Sequence, residues 1–185
     1  MLTNQAWTCN GPVNLALVKV TMTTNDSDAV RLAPGCTGRI GRIEVDTWKQ
    51  DGIKVQNQPN PAHDLVVEGG YVKCHAMTAG AHQDAVQAMG GARLTFRNMT
   101  FDCLGNSNFF VNQAGSGATK PTDVVCENCV LGPRSSTTIR VNIATRSGAR
   151  NSAFCPGRNL TTFWGDPSYV NVNNAMLLRT DARCR

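Results

Sequence analysis

The stretch HQDAVQAMGG, residues 82–91, alternates apolar and polar residues and ends in two glycines. Two earlier stretches, DAVRL at 28–32 and DGIKV at 51–55, begin with the same aspartate and show the same alternation. Such alternation is typical of a half-buried β-strand, and glycines at its end indicate a turn. Because one pattern returns along the chain, the sequence predicts a repeat protein with one structural unit per period.

Short alternating segments fall into three classes that recur in a fixed order. The first class comprises VTMTT (20–24), IEVDT (43–47), YVKCH (71–75), MTFDC (99–103) and CVLGP (129–133). The second comprises DAVRL (28–32), DGIKV (51–55), DAVQA (84–88), NFFVN (108–112) and TTIRV (137–141). The third comprises PVNL (12–15), GRIG (38–41), HDLVV (63–67), ARLTF (92–96), TDVVC (122–126) and NSAFC (151–155). Three short strands per coil, joined by Gly, Asn and Asp turns, predict an all-β solenoid of about five or six coils without intervening helices.

Composition and charge restrict the class of protein further. Of 185 residues, 17% are charged, below the roughly 25% usual for soluble domains, and no apolar run is long enough for a transmembrane helix. The first residues lack the basic and apolar segments of a signal peptide. Five arginines fall within 25 residues: Arg134, Arg140, Arg146, Arg150 and Arg158. This run indicates either a basic face for an acidic polymer or a solvated rim. Aromatic residues do not alternate with these arginines, so nucleic-acid binding is not expected.

The eight cysteines, an even number, predict disulfide bridges. Pairs 27 or 29 residues apart share local sequence, and stacked coils bring equivalent positions to the distance that a disulfide requires. The predicted bridges are Cys9–Cys36, Cys74–Cys103, Cys126–Cys155 and, for the remaining pair, Cys129–Cys184. A zinc site at Cys126 and Cys129 has suitable spacing but needs further ligands from a second such pair, which the sequence lacks. Disulfides indicate an oxidising compartment and predict a secreted protein.

The three-strand coil, the stacked cysteines and the H-x-D-[AG]-[VI]-Q pattern at 82–87 resemble the right-handed parallel β-helix of the pectate-lyase-like superfamily and of bacterial secreted β-helix repeat proteins. The resemblance covers about residues 9–158. It implies a disulfide-braced parallel β-helix domain over 1–158. Residues 159–185 are then a C-terminal cap or tail that covers the core and the open edge of the last coil.

Alignment of the aspartate-led strands predicts a polar site at one corner of the coils. One column contains Asp28, Asp51, Asp84 and Asn108, spaced by about 5 Å. A neighbouring column, two positions earlier, contains Asp26, Lys49, His82 and Asn106. Carboxylates this close need a cation or a raised pKa, so the three aspartates form a candidate Ca²⁺ site. The alternative is that each aspartate braces its own turn by accepting backbone N–H bonds.

The family resemblance implies polysaccharide, acidic or neutral, as the partner, with β-elimination or glycosidic hydrolysis as the activity. Elimination requires a base, for which Lys49 and His82 are the candidates, and a cation or an arginine such as Arg140 to neutralise the uronate. Hydrolysis requires two carboxyl groups, for which Asp51 and Asp84 are the candidates. No cofactor other than calcium is expected, and no membrane is expected as a partner.

Trp48, beside Lys49, is the candidate for stacking on a sugar ring, although a tryptophan that fills a turn gives the same pattern. The chain departs from the family where Ala85 replaces the glycine of the frequent H-x-D-G motif, and it has no arginine–proline strand motif. The alternative function is therefore a non-catalytic β-solenoid: an adhesin, a phage or virion appendage, or a filament component that forms homo-oligomers.

Overall fold

The computed structural model of the protein describes six segments: 1–24, 26–75, 82–114, 118–156, 162–165 and 167–184. Their regular structure consists of 22 β-strands and one short 3-10 helix, η1 (Ala182–Cys184). Within these segments there is no helix long and apolar enough to cross a membrane. The strands confirm the predicted all-β fold class.

The strands form three parallel sheets. Sheet A contains, in spatial order, β1 (Leu2–Thr3), β4 (Val18–Met22), β7 (Ile43–Thr47), β10 (Gly70–Cys74), β13 (Met99–Cys103), β16 (Val130–Leu131), β19 (Ala153–Phe154) and β22 (Ala175–Met176). Sheet B contains β2 (Trp7–Cys9), β5 (Val30–Leu32), β8 (Ile53–Val55), β11 (Asp84–Ala88), β14 (Ser107–Asn112), β17 (Thr137–Asn142) and β20 (Thr162–Trp164). Sheet C contains β3 (Pro12–Leu15), β6 (Thr37–Ile40), β9 (His63–Val67), β12 (Ala92–Arg97), β15 (Thr122–Glu127), β18 (Gly148–Arg150) and β21 (Val170–Val172).

The chain visits sheets A, B and C in turn, and each strand pairs in parallel with the equivalent strand of the next coil. This connectivity confirms the predicted parallel β-solenoid with three strands per coil. Strands β4 to β19 make up about five coils, and the strands at both ends extend the sheets. Strands β20, β21 and β22 fall within the segment that the sequence predicts to be a cap, and each continues one sheet.

Apolar side chains point inward at alternate positions of each strand, as the binary pattern predicts. One inward column of sheet A runs through the whole solenoid: Leu2, Val20, Val45, Val72, Phe101, Leu131, Phe154 and Met176. The ring of Phe101 packs against Phe96 of sheet C and Phe109 of sheet B, with ring centroids 6.3 and 6.0 Å apart. Burial of each ring contributes about 1.5–3 kcal/mol, so this cluster ties the three sheets together.

Asparagines form the corner between sheets C and A in successive coils. Their φ angles lie in the left-handed region, at 52°, 53°, 51° and 52° for Asn98, Asn128, Asn151 and Asn173. Asparagine tolerates this conformation better than most residues, because its short polar side chain bonds locally. Asn128, for example, donates from its side-chain amide to Asn98 of the preceding coil. The uncharged turns of the sequence are therefore a structural requirement of the corner.

Next to this corner, alternating charges form a ladder along sheet C: Glu68, Arg97, Glu127 and Arg150. Arg97 lies 3.4 Å from Glu68 and 3.1 Å from Glu127, which in turn lies 3.2 Å from Arg150. Opposite charges in directly stacked positions stabilise neighbouring strands modestly. We call these four residues the charge ladder.

Two of the four predicted disulfides are confirmed. Cys9 pairs with Cys36 and Cys74 pairs with Cys103, with Cα–Cα distances of 5.3 and 4.2 Å. Both bridges join equivalent positions of neighbouring coils, as the matching local sequences predict. Together with a third bridge, they indicate that the protein belongs in an oxidising environment.

The predicted bridges Cys126–Cys155 and Cys129–Cys184 are wrong. Cys155 pairs with Cys184 at a Cα–Cα distance of 5.4 Å, and Cys126 and Cys129 are buried free thiols. The physical reason is the length of the last coils, because the residue stacked on Cys126 is Ala149, only 23 positions later. A spacing of 29 residues, correct in the middle of the chain, therefore misses the register here.

Candidate functional site

The predicted aspartate column is present where sheet B begins. Strands β5, β8 and β11 pair in the predicted register, so that Asp28, Asp51 and Asp84 follow one another in successive coils. The backbone N–H of Asp84 donates to the carboxylate of Asp51 at 2.7 Å. Asp51 and Asp84 are buried, and Asp28 is partly exposed. The coil thus places these carboxylates side by side, as the sequence alignment indicates.

Asn108 does not continue this column. The residue paired with Asp84 is Ser107, and Asn108 lies one position later. The side chain of Asn108 is buried, accepts the backbone N–H of Cys103 at 2.9 Å and donates to the carbonyl of Gly132 at 2.7 Å. Asn108 therefore braces the corner of its coil and is not part of the carboxylate site.

Each aspartate of the column contacts the side chain three residues later in its own strand. The pairs are Asp28 with Arg31 at 3.6 Å, Asp51 with Lys54 at 3.0 Å, and Asp84 with Gln87 at 3.1 Å. The chain thus supplies a cation for each of the first two carboxylates. Among the described residues, no group of three or more His, Cys, Asp or Glu side chains is arranged to hold a metal ion. The calcium site on Asp28, Asp51 and Asp84 therefore stays a prediction without a coordinating cluster to support it.

Asp84 is the centre of a polar cluster that we call the histidine–aspartate cluster: His82, Asp84, Gln87 and Asn106. The Nδ1 atom of His82 lies 3.0 Å from the carboxylate of Asp84. The side-chain amide of Asn106 donates to the same carboxylate at 3.1 Å and lies 3.0 Å from Nε2 of His82. Gln87 lies 3.2 Å from Nδ1 of His82. Both nitrogens of the half-exposed imidazole are thus positioned by buried or partly buried groups.

Two groups of this corner titrate near neutral pH. The hydrogen bond from Asp84 raises the pKa of His82, and burial opposes this effect. Burial raises the pKa of Asp51 to about 6, with a further contribution from the charge of Asp84 and an opposing one from Lys54. An imidazole and a carboxyl group with pKa values displaced in this way are typical of sites that transfer protons.

Lys49, the other candidate base, has a different partner. Its ammonium group lies 3.1 Å from Asp26 of the preceding coil, and both side chains are substantially exposed. An exposed pair of this kind contributes little to stability. The structure therefore pairs Lys49 with Asp26, whereas His82 is held by the histidine–aspartate cluster.

Trp48 belongs to a second group at the same A–B corner, which we call the aromatic platform: Trp48, His75, Asp46 and Tyr71. The rings of Trp48 and His75 stack with centroids 4.1 Å apart and planes 13° apart. Asp46 lies between the coils, 2.6 Å from Nε2 of His75, and accepts the hydroxyl of Tyr71 at 2.9 Å. Burial and the hydrogen bond to Asp46 raise the pKa of Tyr71 to about 12, so the hydroxyl stays a donor.

His75, Asp46 and Tyr71 are site residues that our sequence analysis does not identify. The signal for them is present in the first strand class, because alignment of IEVDT with YVKCH places His75 directly beside Trp48. The analysis compares the columns of sheet B only, where the aspartates recur. The outward columns of sheet A vary in residue type from coil to coil and give no repeat to detect.

The arginine run does not form a one-sided basic face in the described residues. Arg140 lies on sheet B with its guanidinium 5.1 Å from the ring centroid of Phe110. Three other arginines pair with carboxylates at separate corners of the coil: Arg134 with Asp102, Arg146 with Asp123 and Arg150 with Glu127. Arg158 lies outside the described residues. These pairs favour the interpretation of the run as a solvated rim.

Comparison with known proteins gives no relative for this fold and site. The chain matches no family model, no curated protein and no solved structure. The class that the structure itself defines is a disulfide-braced parallel β-solenoid.

Proposed function

We propose that the protein is a secreted β-solenoid that binds polysaccharide at the A–B corner, through the aromatic platform. The observation that carries the proposal is the stacked pair of Trp48 and His75 beside the carboxylate of Asp46. Both rings are partly exposed. A sugar ring has an apolar face that packs on aromatic rings, and hydroxyl groups that a carboxylate accepts. The three disulfides support the secreted location.

An acidic polysaccharide fits the surroundings of the platform better than a neutral one. Lys73 is exposed and lies 5.6 Å from the ring centroid of Tyr71. Lys49 follows Trp48 directly, and the net charge of the chain is +5. Positive charge near the platform attracts uronate carboxylates at long range, and salt weakens the attraction.

The binding proposal is tested by retention on immobilised polygalacturonate and on a neutral glucan. Trp48→Ala should weaken binding by about tenfold, which corresponds to roughly 1.4 kcal/mol of lost aromatic contact. Tyr169→Ala is the matched control, because Tyr169 stacks on Trp164 in the last coil with centroids 4.7 Å apart. Unchanged retention of Trp48→Ala, or an equal loss in both variants, would contradict the proposal.

Cleavage of the bound polysaccharide is a second candidate function, favoured by the histidine–aspartate cluster. His82 is half-exposed and hydrogen-bonded to the fully buried Asp84, in the same A–B corner as the platform. In β-elimination, His82 would remove the proton next to the uronate carboxylate. The product is an unsaturated sugar whose absorbance can be followed.

The assay for cleavage uses the same polygalacturonate, with and without added Ca²⁺. His82→Ala and Asp84→Asn should each abolish product formation, whereas Lys49→Ala should leave it nearly unchanged. If the wild-type protein binds the polymer but releases no product, the cleavage function is refuted and the binding function stands.

A further inference from the structure

Both ends of the solenoid present open strand edges. Strands β1, β2 and β3 are the first strands of sheets A, B and C, and β22, β20 and β21 are the last. An edge strand has a row of backbone N–H and C=O groups on its outer side that can pair with another strand. Each end of this molecule therefore offers three parallel edges at once.

Exposed large hydrophobic side chains concentrate at these ends. In the part of the chain that the structure describes, all of them except Ile143 lie in the first or the last coil. They are Met1, Leu15 and Leu17 at one end, and Tyr169, Val172, Met176 and Leu178 at the other. Clusters of exposed apolar residues mark interaction surfaces, whereas single ones do not.

Charged residues show the opposite distribution. Residues 1–17 contain no Lys, Arg, Asp or Glu, and residues 162–178 contain only Asp166, which lies outside the described segments. The coils between them carry most of the charges of the chain. Proteins usually protect open strand edges with charged residues, particularly lysine. Both ends of this solenoid lack that protection.

The core itself continues to both ends without a cover. The inward column of sheet A begins at Leu2 and finishes at Met176. Met176 is 54% exposed, whereas Phe154, its neighbour in the column, is 4% exposed. The C-terminal tail does not lie over Met176, because the bridge from Cys155 to Cys184 holds it beside sheet A. There Arg183 lines a surface cleft with Val130 and Ala153.

We propose that copies of this chain stack head to tail, with the last coil of one copy on the first coil of the next. The two ends match strand for strand, because each offers one edge of sheets A, B and C. Only the head-to-tail arrangement keeps all strands parallel across the junction. Met176 of one copy then continues the core column into Leu2 of the next copy, and the uncharged edges meet without burying a charge.

This contact uses a different surface on each partner, so it does not close on itself. A heterologous contact of this kind produces open filaments unless the geometry closes a ring. The stacked molecules extend the solenoid and repeat the A–B corner along its length. The proposal is independent of the polysaccharide-binding function, since the end coils do not contain the aromatic platform.

The test combines one variant for each end with a control from the middle of the chain. Leu15→Lys places a charge at the core-facing edge of the first coil, and Met176→Lys does the same at the last coil. Ile143→Lys is the control, because Ile143 is 48% exposed but lies between β17 and β18, away from both ends. Circular dichroism establishes that all variants remain folded.

Light scattering coupled to size exclusion, from micromolar to millimolar concentration, measures the mass of each protein. The wild type and Ile143→Lys should grow in multiples of the 19.9 kDa chain. Leu15→Lys and Met176→Lys should each remain monomeric. An equal mixture of these two should form a dimer and nothing larger, because it has one intact end of each kind.

Three results would overturn the proposal. They are a wild-type protein that stays monomeric over the whole range, an end variant that still assembles by itself, and a mixture of the two end variants that forms no dimer. Loss of assembly in Ile143→Lys would also contradict it, since the contact would then lie on the side of the solenoid.

Discussion

At the scale of single residues, the most unusual group is the carboxyl of Asp51. Its side chain is 3% exposed, it touches Lys54 on one side, and it accepts the backbone N–H of Asp84 on the other. Burial raises its pKa from 3.8 to about 6. The folded protein therefore holds a proton on Asp51 that the unfolded chain has already released at the same pH.

The raised pKa of Asp51 predicts how stability changes with pH. The contribution of this group is fully present below about pH 4 and is lost as the pH rises through its folded pKa of about 6. The loss amounts to about 3 kcal/mol at most. Asp51→Asn should therefore show a smaller decline in the free energy of unfolding between pH 4 and 6, measured by urea denaturation.

His82 supplies the internal control for this experiment. Its pKa is also raised, so its contribution is lost as the pH rises above its ordinary value of 6.5. Asp51→Asn should leave most of that second decline in place, because Asp84 is the main cause of the shift at His82. If the variant and the wild type lose stability in parallel from pH 4 to 6, Asp51 is not the group responsible.

Prediction from sequence at the residue scale depends on repetition. The aspartate column could be predicted because the same residue type recurs at equivalent positions of three strands. The position of Ser107 could not, because the corner between β13 and β14 is shorter than the one between β10 and β11. The partners of Trp48 were missed for a related reason, since Asp46, Tyr71 and His75 differ in type from their column neighbours.

At the scale of strands and corners, glycine determines how closely coils approach. Gly70 opens β10 with φ at +121°, and a Cβ atom there would overlap the carbonyl oxygen of Ile43 in the preceding coil. The sheet can keep its parallel register at this point only because no side chain is present. Gly11, by contrast, has open space around the position of a Cβ atom.

Gly70→Ala should therefore destabilise the protein by about 3 kcal/mol, through the left-handed φ and the clash with Ile43. Gly11→Ala is the matched control and should change stability by less than about 1 kcal/mol. Urea midpoints of both variants, compared with the wild type, measure the difference. Equal midpoints for the two variants would show that the coils can separate enough to accept a side chain.

The cysteine pairing shows where element-level prediction fails. Matching sequences around Cys9 and Cys36, and around Cys74 and Cys103, lie one coil apart, so their spacing predicts the bridges correctly. Cys155 lies 29 residues from both Cys126 and Cys184. Spacing alone does not choose between these partners, and the shorter coil after Cys126 decides against it.

At the scale of the whole molecule, the bridges and the core together define a rigid rod with two buried thiols. Cys126 and Cys129 are 0% and 1% exposed. Burial and the neighbouring Cys129 raise the pKa of Cys126 well above its ordinary value. A thiol reacts through its thiolate, so both conditions suppress its reactivity in the folded state.

A thiol-specific reagent should therefore label no cysteine in the native protein and two cysteines after unfolding without reductant. Reduction before labelling should raise the number to eight. Mass spectrometry of the labelled peptides should locate the two labels at Cys126 and Cys129. Labels on Cys155 or Cys184 would restore the pairing that the sequence spacing predicts.

The general architecture was predictable because a solenoid repeats one local rule many times. Strand alternation, turn composition and the recurring segments all indicate the same coil, so errors at single positions do not change the fold. The ends are less predictable, since the repeat weakens there. The segment after residue 158 was interpreted as a cap, whereas β20, β21 and β22 continue the three sheets.

The charge ladder limits how a solenoid of this kind can change its length. Its members alternate in sign from coil to coil, as Glu68, Arg97, Glu127 and Arg150. Removal of the single coil that carries Arg97 would place Glu68 directly beside Glu127, and like charges in stacked positions repel. Removal of two coils would keep the alternation. The ladder thus acts as a parity rule, under which whole coils are gained or lost most easily in pairs.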